Sequence, residues 1–453
     1  MILDQIWFEK YKKLEAYKRA YFINKNPEFN FVNGELVITN HISLVDEAER
    51  LKLIRFALRK KRRIRKLQER IENEEHDEFI KEKYLEKLKV LSIMVDTSLV
   101  QLDPNLDEYE KGNQINELFE ARYPQVTEEY LQTFICEFID FIKFLTKTNS
   151  ALEEFTQPEF YDVKYKPTGI DFQPYYDIFQ KRLELLSSLE QKKYSGPETK
   201  KIIRKFLSKA NIKRITIRVE DRMLFSVEPI NKRINIPLNI ETSRKRIIEI
   251  IAHEVCVHVL RSRNGFKNTD INGNSLNVLG ISNYQDMDLE EGVATYFEQN
   301  IFGETGKFDL FFTYRFYLRV VGIYLGRRLE PKDVYDKLTR LNTALHQALF
   351  PDKETTTALS DNIIKRIYAD YAKPTKGFVN PKIAIYLIGN RKIWDYIESG
   401  GNIIHLFAGK IGIEEIEVLK QKGFNIPEDF LGEKEIDFKR LLKMIESSFI
   451  KSK

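Results

Sequence analysis

The chain reads as a mostly α-helical protein with one small antiparallel β-sheet, an α+β fold. Three observations predict it. Long charged stretches place apolar residues at helical spacing over most of the sequence. Only the region from about residue 212 to 237 alternates β-branched and polar residues over short runs. Two further helical segments, separated by an Asn/Gly-rich loop, carry histidines and paired carboxylates. With 453 residues, 42% of them hydrophobic and 12% aromatic, the chain can bury two or three cores.

In chain order, residues 4 to 22 and 43 to 93 read as charged amphipathic helices, broken by Asn-Pro and Asn-Gly turns around 26 to 34. Within them Arg55 to Lys66, RFALRKKRRIRK, is followed at once by the acidic run IENEEHDEF. A basic block against an acidic one makes a self-compensated helical hairpin, or a strip that docks a polyanion. Residues 125 to 148 form an apolar helix. The stretch 157 to 175, with Pro158, Pro167 and Pro174, reads as a linker, giving an N-terminal helical region over 1–165 and a second domain over 166–453. Helices near 175 to 192 and 196 to 211 precede two or three strands in IKRITIRVED and MLFSVEPINKRINIP.

A buried helix then starts at a Thr242 or Ser243 cap and runs to about Asn264, with Gly265 as its stop. The loop FKNTDINGNSLNVLGISNYQ returns the chain to a second helical segment that opens with Leu289-Glu290-Glu291-Gly292. The C-terminal part is again helical, around 308 to 326, 331 to 349, 361 to 371 and 435 to 450.

Composition excludes some functions. The net charge of +5 is a small difference between 73 basic and 68 acidic residues, and the basic strip carries no recognised nucleic-acid motif, which argues against nucleic acid as a partner. No apolar run approaches the roughly 18 to 20 residues of a membrane span, and no secretory leader is evident. Cys136 and Cys256 are too few for a disulfide framework. The expectation is a soluble, cytoplasmic protein, and nothing in the sequence sets an oligomeric state.

The chemistry sits in His253-Glu254-Val255-Cys256-Val257-His258 and in the downstream carboxylate pair. Two imidazoles and a carboxylate make a three-ligand zinc site that leaves a fourth position for water and lowers its pKa to about 7. His253, His258 and Glu291 are the candidate ligands of one Zn2+ per chain. Glu254 points about 100° away from His253 around a helix, so it can serve the water as general base.

The histidines are five apart rather than four, which in a regular helix separates them by about 140°. Joint coordination therefore requires a local widening such as a π-bulge. Other readings stay open at this point: a core histidine in a buried helix, and a capping box with Asp288 as N-cap and Glu291 at its third position. His346 and His405 lack a companion motif.

The stretch from Ile234 to Glu298, with IPLNIETSRKRIIEIIAHEVCVHVLRSRNG and DLEEGVATYFE, resembles the microtubule-associated tyrosine carboxypeptidases and their bacterial relatives known for a QEGLA-type motif. The resemblance implies a zincin-like metallopeptidase core. It also implies zinc on His253, His258 and Glu291, catalysis by Glu254, and removal of a C-terminal aromatic residue from a peptide or protein. The histidine spacing is also similar to the dipeptidyl peptidase III family, where Thr295 here replaces a last acidic residue.

A second block, Arg366 to Gly389, loosely resembles the family's R-x-x-R-G and F-x-K-D-x-x-Y-L-x-G segments. Lys382, Tyr386 and Gly389 keep the pattern; Ala369, Asp370 and Ile383 depart from it. A pocket for a free C terminus needs a fixed cation and an oxyanion donor, for which Arg366, Lys382, Tyr386, Arg315 and Arg319 are the candidates. The alternatives are a dipeptidyl or aminopeptidase of the HExxxH type, and a non-catalytic scaffold that binds a polyanion through helix 55–66.

Overall fold

The computed structural model describes residues 2–21, 28–32, 35–39, 45–147, 149–190, 192–221, 225–270, 273, 276–281, 287–303, 310–350, 357–371 and 373–449. The chain folds as two compact units. A helical unit comprises Glu9–Phe172 and Thr313–Ile388, and a histidine unit comprises Met1–Phe8, Gln173–Phe312 and Gly389–Lys453. The mostly α, α+β class expected from the sequence is the class observed.

In the helical unit, helices Glu47–Glu74 and Glu78–Leu102 pack as a hairpin. Leu53, Ala57, Lys60, Ile64, Leu67 and Ile71 line the buried seam of the first, alternating steps of four and three that keep one stripe against a neighbour. Asp46 and Asp77 cap the two helices by accepting from backbone N–H groups of the first turn. The acidic run forms the end of the first helix and the connecting turn. Within the basic strip Arg65 pairs with Glu69 and Lys61 pairs across the hairpin with Asp96 at 2.6 Å, and Arg70–Glu74 follows one turn on. The apolar helix Glu128–Thr146 is a buried core element, where Glu137 accepts a hydrogen bond from Tyr317 at 2.6 Å.

Seven short strands are present among the described residues: β1 (Glu28–Val32), β2 (Glu35–Thr39), β3 (Lys193–Ser195), β4 (Thr216–Glu220), β5 (Ser226–Glu228), β6 (Arg233–Pro237) and β7 (Glu241–Ser243). The segment read from sequence as turns holds the antiparallel β1–β2 hairpin, paired from Glu28↔Thr39 to Val32↔Glu35; Asn26, Pro27, Asn33 and Gly34 lie outside the described residues. In the histidine unit β3 pairs antiparallel with β7, and a three-stranded sheet has the order β4-β6-β5. Its β5–β6 edge is antiparallel as expected, but β4 runs parallel to β6. The chain leaves β4, takes the far edge as β5, and returns between them, so the first and last strands ascend together.

The helical run after β7 begins at Ser243, whose Oγ accepts from Arg246 N. It is α-helical over Arg244–Ile250, π-helical over Ile251–Val259 and α-helical again over Leu260–Lys267. It passes through Gly265 rather than stopping there. The reason is packing: a Cβ at Gly265 would strike the backbone carbonyl of Leu279, so the glycine lets the Asn277–Gly280 turn lie against the helix. Helix Met287–Asn300 packs on the π-helical segment. No helix among the described residues is long and apolar enough to cross a membrane.

Candidate metal centre

The π-helical segment is where the sequence demanded a widened turn. Ile251, Ala252, Val255, Cys256, Val257 and Val259 are buried and anchor the segment in the core. The extra residue in the turn brings the two imidazoles onto one side, with ring centroids 4.9 Å apart and planes at 72°.

Helix Met287–Asn300 supplies the third group. Glu291 Oε2 lies 3.4 Å from His253 Nε2 and 3.9 Å from His258 Nε2. One ligand atom from each of His253, His258 and Glu291 falls within 4.8 Å of the others. Donors around a tetrahedral zinc stand about 3.4 Å apart, given bonds of about 2.1 Å. Glu291 Oε2 is buried and accepts no well-formed hydrogen bond from a described residue. An acceptor this enclosed needs a partner, and a cation satisfies it. The two-nitrogen, one-oxygen donor set fits zinc.

Each imidazole has a further carboxylate behind it, hydrogen-bonded at His258 and at ion-pair distance at His253. His258 Nδ1 is 2.6 Å from Glu290 Oε1, and His253 Nδ1 is 3.2 Å from Glu298 Oε1. Such carboxylate contacts fix ring orientation and direct the other nitrogen, here Nε2, toward a metal. Cations neutralise these carboxylates in turn: Lys410 bonds Glu290, and Arg246 Nη1 lies 3.3 Å from Glu298.

Electrostatics follow from this crowding. Burial opposes a charge on His253, but the carboxylates of Glu298 and Glu291 outweigh it and raise its pKa well above the ordinary value. Burial works against ionised Glu290, yet Lys410 and His258 hold it well below the usual carboxylate range. Glu298 is likewise buried, and His253 and Arg246 bring it down to about 2. The cluster is a set of ionised carboxylates around two imidazoles, a field that favours a cation.

Glu254 is half-buried beside His253 and near enough for its charge to help raise the His253 pKa. Cys256 is fully buried and its thiol is pushed up by that burial, so it is an inert core residue. Asp288 does not cap the helix as the capping-box reading required. It lies inside the first turn, buried, and accepts from Lys392 Nζ at 2.6 Å, while Glu291 faces the histidines.

Gly292 and Gly389 set the helix spacing. A Cβ on Gly292 would meet the carbonyl of Gly389, and a Cβ on Gly389 would meet that of Asp288. The residue after the candidate ligand must be glycine for the two backbones to approach.

Glu290, Glu298, Lys410 and Arg246 escaped the sequence reading. Glu298 had a signal, because it stands seven residues after Glu291 and therefore on the same helix face. Lys410 had none.

The five substrate-pocket candidates all belong to the helical unit. Arg319 lies over the rings of Phe316 and Tyr386, at 4.7 and 5.1 Å, and those rings stack 5.9 Å apart. Arg315 is exposed and its Nε donates to Tyr314 Oη at 3.3 Å. Arg366 is half-buried on helix Ala358–Tyr368, and Lys382 is exposed on the Pro381–Ala384 turn. Arg319 and Tyr386 are thus brought together. His346 packs on Phe350, and His405 sits on the Ile403–Ala408 turn; neither joins the cluster.

No curated protein matches this chain. The family model described as microtubule-associated tyrosine carboxypeptidase (MATCAP) matches residues 173–325, the segment that carries His253, Glu254, His258, Glu290, Glu291 and Glu298, and this part of the chain is similar to that carboxypeptidase family.

Proposed function

We propose that the protein is a zinc-dependent carboxypeptidase that removes a C-terminal, tyrosine-class residue from a peptide or protein. The observation that carries this reading is the convergence of His253 Nε2, His258 Nε2 and a Glu291 oxygen, each imidazole backed by its own carboxylate. The family match supplies the reaction class.

His253, His258 and Glu291 would hold one zinc ion, which when bound polarises a carbonyl and acidifies water. Glu254 is partly open to solvent beside His253, where a carboxylate oxygen can accept a proton from the attacking water. As the water oxygen bonds to the scissile carbonyl carbon and the C–N bond breaks, the same oxygen returns that proton to the leaving amine. Glu290 and Glu298 contact the two imidazoles at Nδ1 and leave each Nε2 aimed at Glu291.

The test is a peptide set ending in tyrosine, phenylalanine, alanine or glutamate, each with free and amidated C termini, incubated with zinc-reconstituted protein. Release of the last residue from free-acid peptides, fastest for tyrosine, is the expected result. Equal cleavage of amidated peptides, or release from the N terminus, contradicts it.

A further inference from the structure

The histidine unit also carries a basic cleft. A cleft of about 510 Å³ opens between the strand sheet and helix Leu260–Lys267, and it is lined by Lys213, Arg214, Lys232, Arg233, Arg263 and Lys267. No carboxylate is among its described lining residues. Arg233 is neutralised by Glu228 at 2.6 Å, but the other five form no ion pair with a described carboxylate. Elsewhere several cations meet carboxylates, within one helix turn at Arg65–Glu69 and Arg70–Glu74 and across the hairpin at Lys61–Asp96. Here like charges are gathered.

Three features mark a built site. First, the floor is apolar: Ile215, Val227 and Phe266 are partly exposed inside the ring of cations, and Lys232 Nζ lies 5.9 Å from the Phe266 ring. Second, two of the cations sit on left-handed backbone, Arg214 at φ 65° and Lys232 at φ 48°. Non-glycine residues reach that region at a cost of about 1–3 kcal/mol when the surroundings impose it, and such positions cluster at ligand clamps. The Lys232 conformation is fixed from both sides, its N–H donating to Pro229 O at 3.0 Å and its carbonyl accepting from Thr216 N at 2.9 Å. Third, the charges feel one another: burial, then Arg263, Arg214 and Lys232, all lower the Lys267 pKa.

We propose that this cleft binds a small molecule bearing two or more phosphate groups. Its volume is that of a metabolite site rather than an extended peptide groove. Arg214 and Arg263 offer planar forks for phosphate oxygens, three lysines add point charges, and the apolar floor takes the carbon skeleton. The cleft wall includes Val259, the residue after His258, so occupancy reaches the end of the π-helical segment.

The test is titration calorimetry of the full, zinc-loaded chain with fructose 1,6-bisphosphate, a hexose monophosphate, inorganic phosphate and an oligoglutamate peptide. The expected order has the bisphosphate at least about tenfold tighter than either single-phosphate probe, with affinity falling as salt rises. Lys213→Glu/Lys267→Glu, both exposed positions, weakens it about tenfold or more, and Arg263→Gln does the same without charge reversal. Arg59→Glu/Arg62→Glu on the exposed basic helix leaves it unchanged. Absence of bisphosphate binding at millimolar concentration overturns the proposal. So does equal loss in the Arg59/Arg62 variant, which marks unspecific charge attraction, and so does tighter binding of oligoglutamate, which assigns the cleft to acidic polypeptide.

Discussion

Glu290 Oε1 lies 2.6 Å from His258 Nδ1, and the same buried carboxylate bonds Lys410. The neighbouring carboxylate on the same helix, Glu291, reaches the opposite side of the ring at Nε2. One Glu-Glu pair therefore brackets one imidazole, the first residue at Nδ1 and the second facing Nε2. This division of labour makes separable predictions.

Glu290→Gln keeps the side chain's shape but removes the charge that holds the imidazole and balances Lys410. Zinc affinity should fall about 10- to 100-fold, the usual cost of losing such a contact. Glu290→Ala should also destabilise the fold by about 3–5 kcal/mol, because it removes one partner of the buried Lys410–Glu290 ion pair. Lys410→Met in the Ala background should restore part of that stability, read by denaturant unfolding. No rescue would mean that the pair does not carry the energy.

Glu254→Gln should lower kcat about 10²- to 10⁴-fold while zinc content stays at the wild-type level. Loss of zinc in this variant would make Glu254 a ligand instead of a base.

Zinc must displace a proton from His253, whose pKa is raised because the Glu298 and Glu291 carboxylates outweigh its burial. The metal-free protein holds that proton at neutral pH, so binding should release it, and affinity should fall as pH decreases. Calorimetry in buffers of different ionisation enthalpy counts the proton. Glu298→Gln lowers the His253 pKa and should shrink the release.

Gly292→Ala places a methyl group against the carbonyl of Gly389, where no flexible side chain can yield. About 1–3 kcal/mol of stability should be lost through overpacking. Because Glu291 is the preceding residue, zinc affinity should drop with it. Thermal unfolding with and without chelator separates the two effects.

The sequence carried the site more legibly than the fold around it. Five-residue spacing between His253 and His258 required a widened helix on geometric grounds, and the π-helical turn over Ile251–Val259 is that widening. Glu298 was recoverable from its seven-residue step beyond Glu291, but Lys410 reaches Glu290 across 120 residues and leaves no local trace. The β1–β2 hairpin went unread although EFNFV and ELVIT flank an Asn-Gly step, a strong hairpin signal. The parallel β4–β6 pairing depends on which edge the chain takes after β4, which composition does not record. Gly265 looked like a helix stop because glycine commonly ends helices; its actual use, close approach of the Asn277–Gly280 turn, is a tertiary fact.

The central claim is that His253, His258 and Glu291 together hold a single zinc ion. Metal content measured by mass spectrometry after reconstitution and gel filtration tests it most directly, in wild type and in His253→Ala, His258→Ala and Glu291→Gln variants shown by circular dichroism to be folded. About one zinc per chain in wild type and a loss in each variant is the predicted result. Metal-free wild type, or full zinc content in the folded variants, contradicts the assignment.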